Sequence, residues 1–170
     1  MKILSRFGKG LLVLLAGALC ACSGADHQYD FITLNIKDAS TAIGLNMDHD
    51  QIESALASVY GNVDGELTAG IHLKWGADKT TCVSIQVFGS TLLTTAGISI
   101  NNSKKADVLA AYQKDNEIKI LQNDASRIIL GKQIDGVNYT LTFRFYPDGE
   151  VKYISLTNTG QYTENDKDFP

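Results

Sequence analysis

The sequence predicts an α+β domain of two helix-plus-antiparallel-strands modules, a tandem repeat with the helices packed on one face of the sheet. Three observations carry that expectation. Apolar residues recur with a period of two in several segments, as in half-buried strands. The dipeptides Asp135-Gly136 and Asp148-Gly149 stand between such segments, where they favour tight hairpins. Finally, Thr41 to Met47 aligns with Thr94 to Ile100 at a spacing of 53 residues, and a helix candidate follows each copy.

In chain order, residues 1 to 21 read as an export signal. Lys2, Arg6 and Lys9 precede the apolar run Leu11 to Leu19, which is too short for a bilayer span of about 20 residues. The segment Leu19-Cys20-Ala21-Cys22 resembles the lipobox of bacterial lipoproteins. That resemblance implies cleavage before Cys22 and acylation of its thiol, with the membrane as a partner through the lipid. Ser23 is not the Asp that retains lipoproteins at the inner membrane. The expected location is therefore the outer membrane of a double-membraned cell, or otherwise the outer face of the cell membrane. Residues 22 to 30 are small and polar, as in a tether.

The first module, residues 31 to 93, opens on the alternating strand Phe31 to Ile36. Its helix is expected to be capped by Asp50 with Glu53 three residues on, to bury Ile52, Ala55, Leu56 and Val59, and to end at Gly61. A hairpin follows, with Ile71, Leu73 and Trp75 inward, a turn at Gly76 to Lys79, and Val83, Ile85 and Val87 inward. In the second module, residues 94 to 160, Ser103 is the cap candidate, and Val108, Leu109 and Tyr112 form the buried stripe. Strands are expected at Ile118 to Leu121, Ile128 to Leu130, Tyr139 to Tyr146 and Val151 to Thr157. Residues 161 to 170 form a polar, acidic tail.

Composition narrows the function classes. With 20% charged and 44% hydrophobic residues the chain is globular. Removal of residues 1 to 21 takes three of the 15 basic side chains and none of the 19 acidic ones, leaving 12 against 19 and a formal charge of −7. That balance argues against nucleic acid as a partner. Cys82 is the one cysteine outside the signal and lipidation region, and its apolar segment makes it a small strand residue rather than a reactive thiol.

Signatures of catalysis and of cofactor binding are lacking. There is no Gly-x-Ser-x-Gly turn, and the glycines do not form a dinucleotide-binding loop, so no cofactor is expected. Asp48-His49-Asp50 collects three potential metal ligands, but neighbouring positions point apart and negative charge at a helix start is favourable without an ion, so no metal is assigned. The remaining signal is strand parity. If the apolar sets face the helices, the other sheet face gathers His72, Lys74, Gln86, Arg144, Tyr146 and Tyr153 toward solvent. Tyr and Arg dominate interface energetics, which makes this face the candidate site for a protein partner.

The pattern of a glycine entry, a short capped helix and antiparallel strands with a Pro-Asp-Gly turn, given twice between residues 41 and 157, resembles the tandem modules of β-lactamase inhibitor protein-like folds. The SmpA/OmlA outer-membrane lipoproteins are similar in one module. The resemblance implies a non-enzymatic protein that presents a sheet face to a partner. The competing expectations are an envelope hydrolase or transferase built on Asp48 and His49, and a structural component of an envelope assembly.

Overall fold

A computed structural model describes residues 30–61 and 70–160. The expected signal peptide, Cys22, the tether through residue 29 and the tail from 161 lie outside the described residues. Within them the chain is mixed α and β, mostly sheet. The elements are β1 (Thr33–Ile36), β2 (Ala42–Gly44), α1 (His49–Tyr60), β3 (Ile71–Trp75), β4 (Cys82–Val87), β5 (Leu92–Thr94), α2 (Lys105–Tyr112), β6 (Lys119–Asn123), β7 (Arg127–Ile134), β8 (Val137–Phe145) and β9 (Val151–Asn158). They form a three-stranded sheet in the order β2-β1-β5 and a six-stranded sheet in the order β3-β4-β9-β8-β7-β6, with every pairing antiparallel.

The turns follow from their residues. At the β7–β8 connection Asp135 and Gly136 both have positive φ (50° and 80°), the backbone that matches strand twist in a two-residue hairpin. The Asp148 carboxylate accepts from the Glu150 N–H, and Gly149 takes φ 85°. At the β3–β4 turn Asp78 accepts from the Thr80 and Thr81 N–H groups and the Thr81 hydroxyl. These bonds to the Thr81 side chain and backbone hold its carboxyl down at about 2.

Both helices start elsewhere than the sequence suggests. Asp48, not Asp50, caps α1: its carboxylate accepts from the Gln51 N–H at 2.8 Å, and the Gln51 side-chain oxygen accepts from the Asp48 N–H at 3.0 Å. Lys104, not Ser103, precedes α2, with the Asp107 carboxylate accepting from its N–H at 2.7 Å; the Ser103 hydroxyl accepts from the Ser99 N–H instead. Helix α1 does end at Gly61 (φ 77°). Its stripe buries Ile52, Ala55 and Leu56 but leaves Val59, in the last turn, 37% exposed. In α2, Val108 and Tyr112 are buried while Leu109 is only half-buried.

The 53-residue register is therefore wrong for the helices. The two caps, Asp48 and Lys104, are 56 residues apart, and at that spacing Ile52 and Leu56 match Val108 and Tyr112. The two aligned glycines also do different work. A Cβ on Gly44 would sit 2.9 Å from the Ile32 carbonyl oxygen, whereas Gly97 (φ 81°) faces open space in a turn closed by its N–H to the Thr94 carbonyl.

The two helix entries nevertheless share their hydrogen bonds to a hairpin. Asn46 (φ 68°) and Asn101 (φ 60°) donate their N–H groups to the Cys82 and Val151 carbonyls, both at 3.0 Å. In return Cys82 and Val151 donate to the Met47 and Ser103 carbonyls. One apolar core joins both sheets and both helices, from Leu34, Ile43 and Ile52 through Ile85 to Phe143 and Leu156. The Tyr112 ring lies 5.9 Å from Phe143 within it.

Candidate functional site: the polar face of the large sheet

Strand register decides which side chains share a face, since directly opposed residues point the same way. On one face of the large sheet lie Tyr139, Leu141, Phe143 and Phe145 of β8 with Ile154 and Leu156 of β9, all buried, as alternation predicts. On the other, His72 pairs with Gln86, Gln86 with Ser155, and Ser155 with Thr142. The adjacent row runs Lys74, Ser84, Thr157, Thr140. A third joins Tyr153 to Arg144 and Arg144 to Arg127. The structure thus brings His72, Lys74, Gln86, Arg144 and Tyr153 onto one face. Tyr146 stands apart, past the end of β8, 39% exposed, with the Lys152 ammonium 5.8 Å from its ring centre.

The expectation that this whole face meets solvent needs correction. Gln86 is 1% and Tyr153 2% exposed, and Ser84, Thr142, Ser155 and Thr157 are buried with them. Alternation reports the side a residue takes and not its depth; all these residues lie on β4, β9 and β8. His72, Lys74 and Arg144 are half-buried around this centre.

Hydroxyls satisfy one another here, with Ser84 Oγ and Ser155 Oγ each 3.2 Å from Thr157 Oγ1. Gln86 Nε2, by contrast, has no hydrogen-bond acceptor among the described residues. A buried donor without a partner costs about 1–3 kcal/mol. Next to it runs an aromatic ladder. Phe88 lies 4.9 Å from the His72 ring and 5.0 Å from the Tyr153 ring, both tilted at more than 50°. Sequence reasoning missed Phe88 and Arg127, although continuing the alternation Ser84, Gln86 by two residues, and Arg127 against Ile128 and Leu130, reaches both.

Two other charged groupings are distinct from this face. His49 lies 3.8 Å from Asp50 and 3.6 Å from Glu53 on the exposed first turn of α1, its ring 5.2 Å from Trp75. The Asp48-His49-Asp50 grouping does not form, because Asp48 is spent on the helix cap. On the apolar side of β7, Lys132 is 4% exposed along its side chain, its ammonium 3.1 Å from Asp115 and 3.0 Å from Glu117. Burial pushes that ammonium down, but the hydrogen bonds and charges of Glu117 and Asp115 outweigh it and raise it above its ordinary value. Burial likewise pushes the Asp115 carboxyl up, and the Glu117 N–H together with Lys132 more than reverses this. The ion pair borders a 430 Å³ pocket lined by Asp30, Phe31 and the β7–β8 turn.

Searches of the chain against protein-family models and curated proteins, and of its fold against solved structures, find no match.

Proposed function

We propose that this chain is a lipid-anchored cell-envelope protein acting as a non-catalytic binding module, which engages a protein partner through the polar face of its large sheet. The anchor reading rests on the basic and apolar signal followed by Leu19-Cys20-Ala21-Cys22. The binding reading rests on one observation above the rest: the polar face, ringed by half-buried His72, Lys74 and Arg144, carries at its buried centre Gln86, whose amide nitrogen has no acceptor among the described residues. Apolar residues of the same size would be more favourable there. Polar groups kept against stability are characteristic of functional surfaces.

We read the domain as two tandem modules, each a helix entry bonded to a hairpin. The support is the matched bonds at Asn46 and Asn101, and the pairing of β4 with β9. Ile85 opposes Leu156 and Val87 opposes Ile154, so a half-turn that exchanges Ile85 with Ile154 and Val87 with Leu156 maps one pair onto the other. The second module then carries β6 and β7 as an insertion between helix and hairpin.

Two experiments test these readings. Cys22→Ser is expected to move the protein from the membrane to the soluble fraction; a variant that stays with membranes contradicts the anchor. A photocrosslinking amino acid in place of Lys74, which register puts on this face, is expected to trap a discrete partner in intact cells, while one in place of the exposed Val59 traps none. No adduct at position 74 contradicts the face.

A further inference from the structure

The six-stranded sheet ends in two unlike edges. On β3, at one end, the residues after Ile71 are half-buried, and the Trp75 ring lies 5.2 Å from His49 of α1. On β6, at the other, all residues but Gln122 are exposed. This strand pairs with β7 alone, and no described residue hydrogen-bonds to its outer backbone. Among the described residues the two most exposed large apolar side chains stand next to each other on it, Ile120 at 43% and Leu121 at 58%. They take opposite faces. Ile120 opposes the buried Leu130, whereas Leu121, inserted by the register shift between Ile120 and Gln122, lies across Gly131 on the polar face, where a Cβ would meet its Cδ1 at 2.8 Å. Native proteins blunt such edges with Pro, charge or bulges, because an unpaired ladder is a template for another strand. Here Lys119 at one end is the strand's sole charge, and the bulge leaves its leucine in the open.

We propose that β6 is where two copies of this chain pair, antiparallel about Leu121, so that their large sheets join edge to edge. The strand's own sequence favours a second copy over an unrelated strand. Opposed to itself about Leu121, it sets Leu121 against Leu121, Ile120 against Gln122 and Lys119 against Asn123, so apolar contact falls on the two-fold axis and no like charges meet. The contact is isologous and uses one edge of each sheet, which leaves only the half-buried β3 edges and stops association at two. Five residues a side are far fewer than the roughly 20–30 of a standard interface, so the dimer is weak and concentration-dependent. Copies held in one membrane by the proposed lipid meet at a raised effective concentration. Only that concentration effect rests on the anchor reading; the pairing does not.

The test is sedimentation velocity on the mature chain with Cys22→Ser, which needs no membrane. Between about 10 µM and 1 mM, the range in which weak interfaces fill, monomer is expected to give way to dimer. Leu121→Arg and Leu121→Glu each place like charges face to face on the axis, and each alone is expected to weaken pairing about tenfold or more. An equimolar mixture of the two is expected to restore it as a mixed dimer, because the facing charges are then opposite. Leu121 is exposed, so both variants should melt with the wild type. Should either melt early, Ile120→Lys serves instead, with pairing weakened about threefold or more by the diagonal approach of the two lysines. A wild type that stays monomeric throughout, association unchanged in the folded variants, a mixture no better than either variant alone, or growth past the dimer would overturn the proposal.

Discussion

The two faces of the six-stranded sheet are equally deep at their centre and opposite in chemistry. Ile85, Phe143, Ile154 and Leu156 on one face, and Ser84, Gln86, Ser155 and Thr157 on the other, are all within about 1% of complete burial. The first set is what folding thermodynamics favours, since apolar area removed from water contributes roughly 25 cal/mol per Å². The second set contributes little of that kind and includes a donor, the Gln86 amide nitrogen, with no acceptor among the described residues. Burial therefore does not explain the composition of the polar face. The difference separates residues that hold the fold from residues kept for another purpose.

The largest effect expected from breaking this contrast is on the apolar face. Phe143→Ala removes a ring packed on Tyr112 and should cost about 3–5 kcal/mol in chemical denaturation. A loss below about 1 kcal/mol would mean that this face is not the stabilising one.

Lys132 is the exception on the apolar side, and Lys132→Ala strands Asp115 in its half-buried position. The cost should be about 1–3 kcal/mol, discounted because Glu117 is largely exposed. Its pH dependence has a definite sign. The lowered Asp115 contributes stability that is present above its ordinary value of 3.8 and is lost as pH falls through the lower folded value. The raised Lys132 contributes stability present below 10.5 and lost as pH climbs through the higher folded value. Melting temperatures of wild type and variant should thus differ most between about pH 4 and 10 and converge outside that window. A constant difference at every pH would contradict the ion-pair account.

Smaller still is the bond from Asn46 Nδ2 to the Tyr139 hydroxyl at 3.0 Å, which ties the α1 entry to β8. Tyr139→Phe should cost about 0.5–1.5 kcal/mol by thermal unfolding. An unchanged midpoint would mean that the entry is held by its backbone bonds alone.

Much of this fold is legible in the sequence where one physical signal acts alone. Alternation located β3, β4, β8 and β9 with most of their inward sets, and the Asp-Gly dipeptides located two hairpin turns; at the end of the β3–β4 hairpin the register shifts between Lys74 and Trp75, and Cys82 rather than the expected Val83 joins the core. The signal failed where neighbours compete for one role. Asp48 and Asp50 are equally good caps by composition, and the choice fell to Asp48 because Gln51, three residues on, can return the second bond of the capping box. Strands β2 and β5 were not anticipated, since three residues are too few to show a period. Lys132 stands at an inward position of β7, and only the fold reveals that Asp115 and Glu117 arrive there to receive it. The site was half legible: parity grouped five of its six residues, but alternation carries no information on depth, and Gln86 and Tyr153 turned out buried.

The central claim is that the polar face is retained for binding at a cost in stability, and Gln86→Met tests it most directly because the replacement keeps the volume and removes the unpaired amide. Unfolding and in-cell capture at position 74 would be measured on the same variant at equal protein levels. The account predicts stability unchanged or raised, within about 1 kcal/mol, together with a clear loss of the crosslinked partner. A variant that loses stability while capturing its partner as well as wild type does would show that Gln86 serves the fold and that the polar face is not the binding surface.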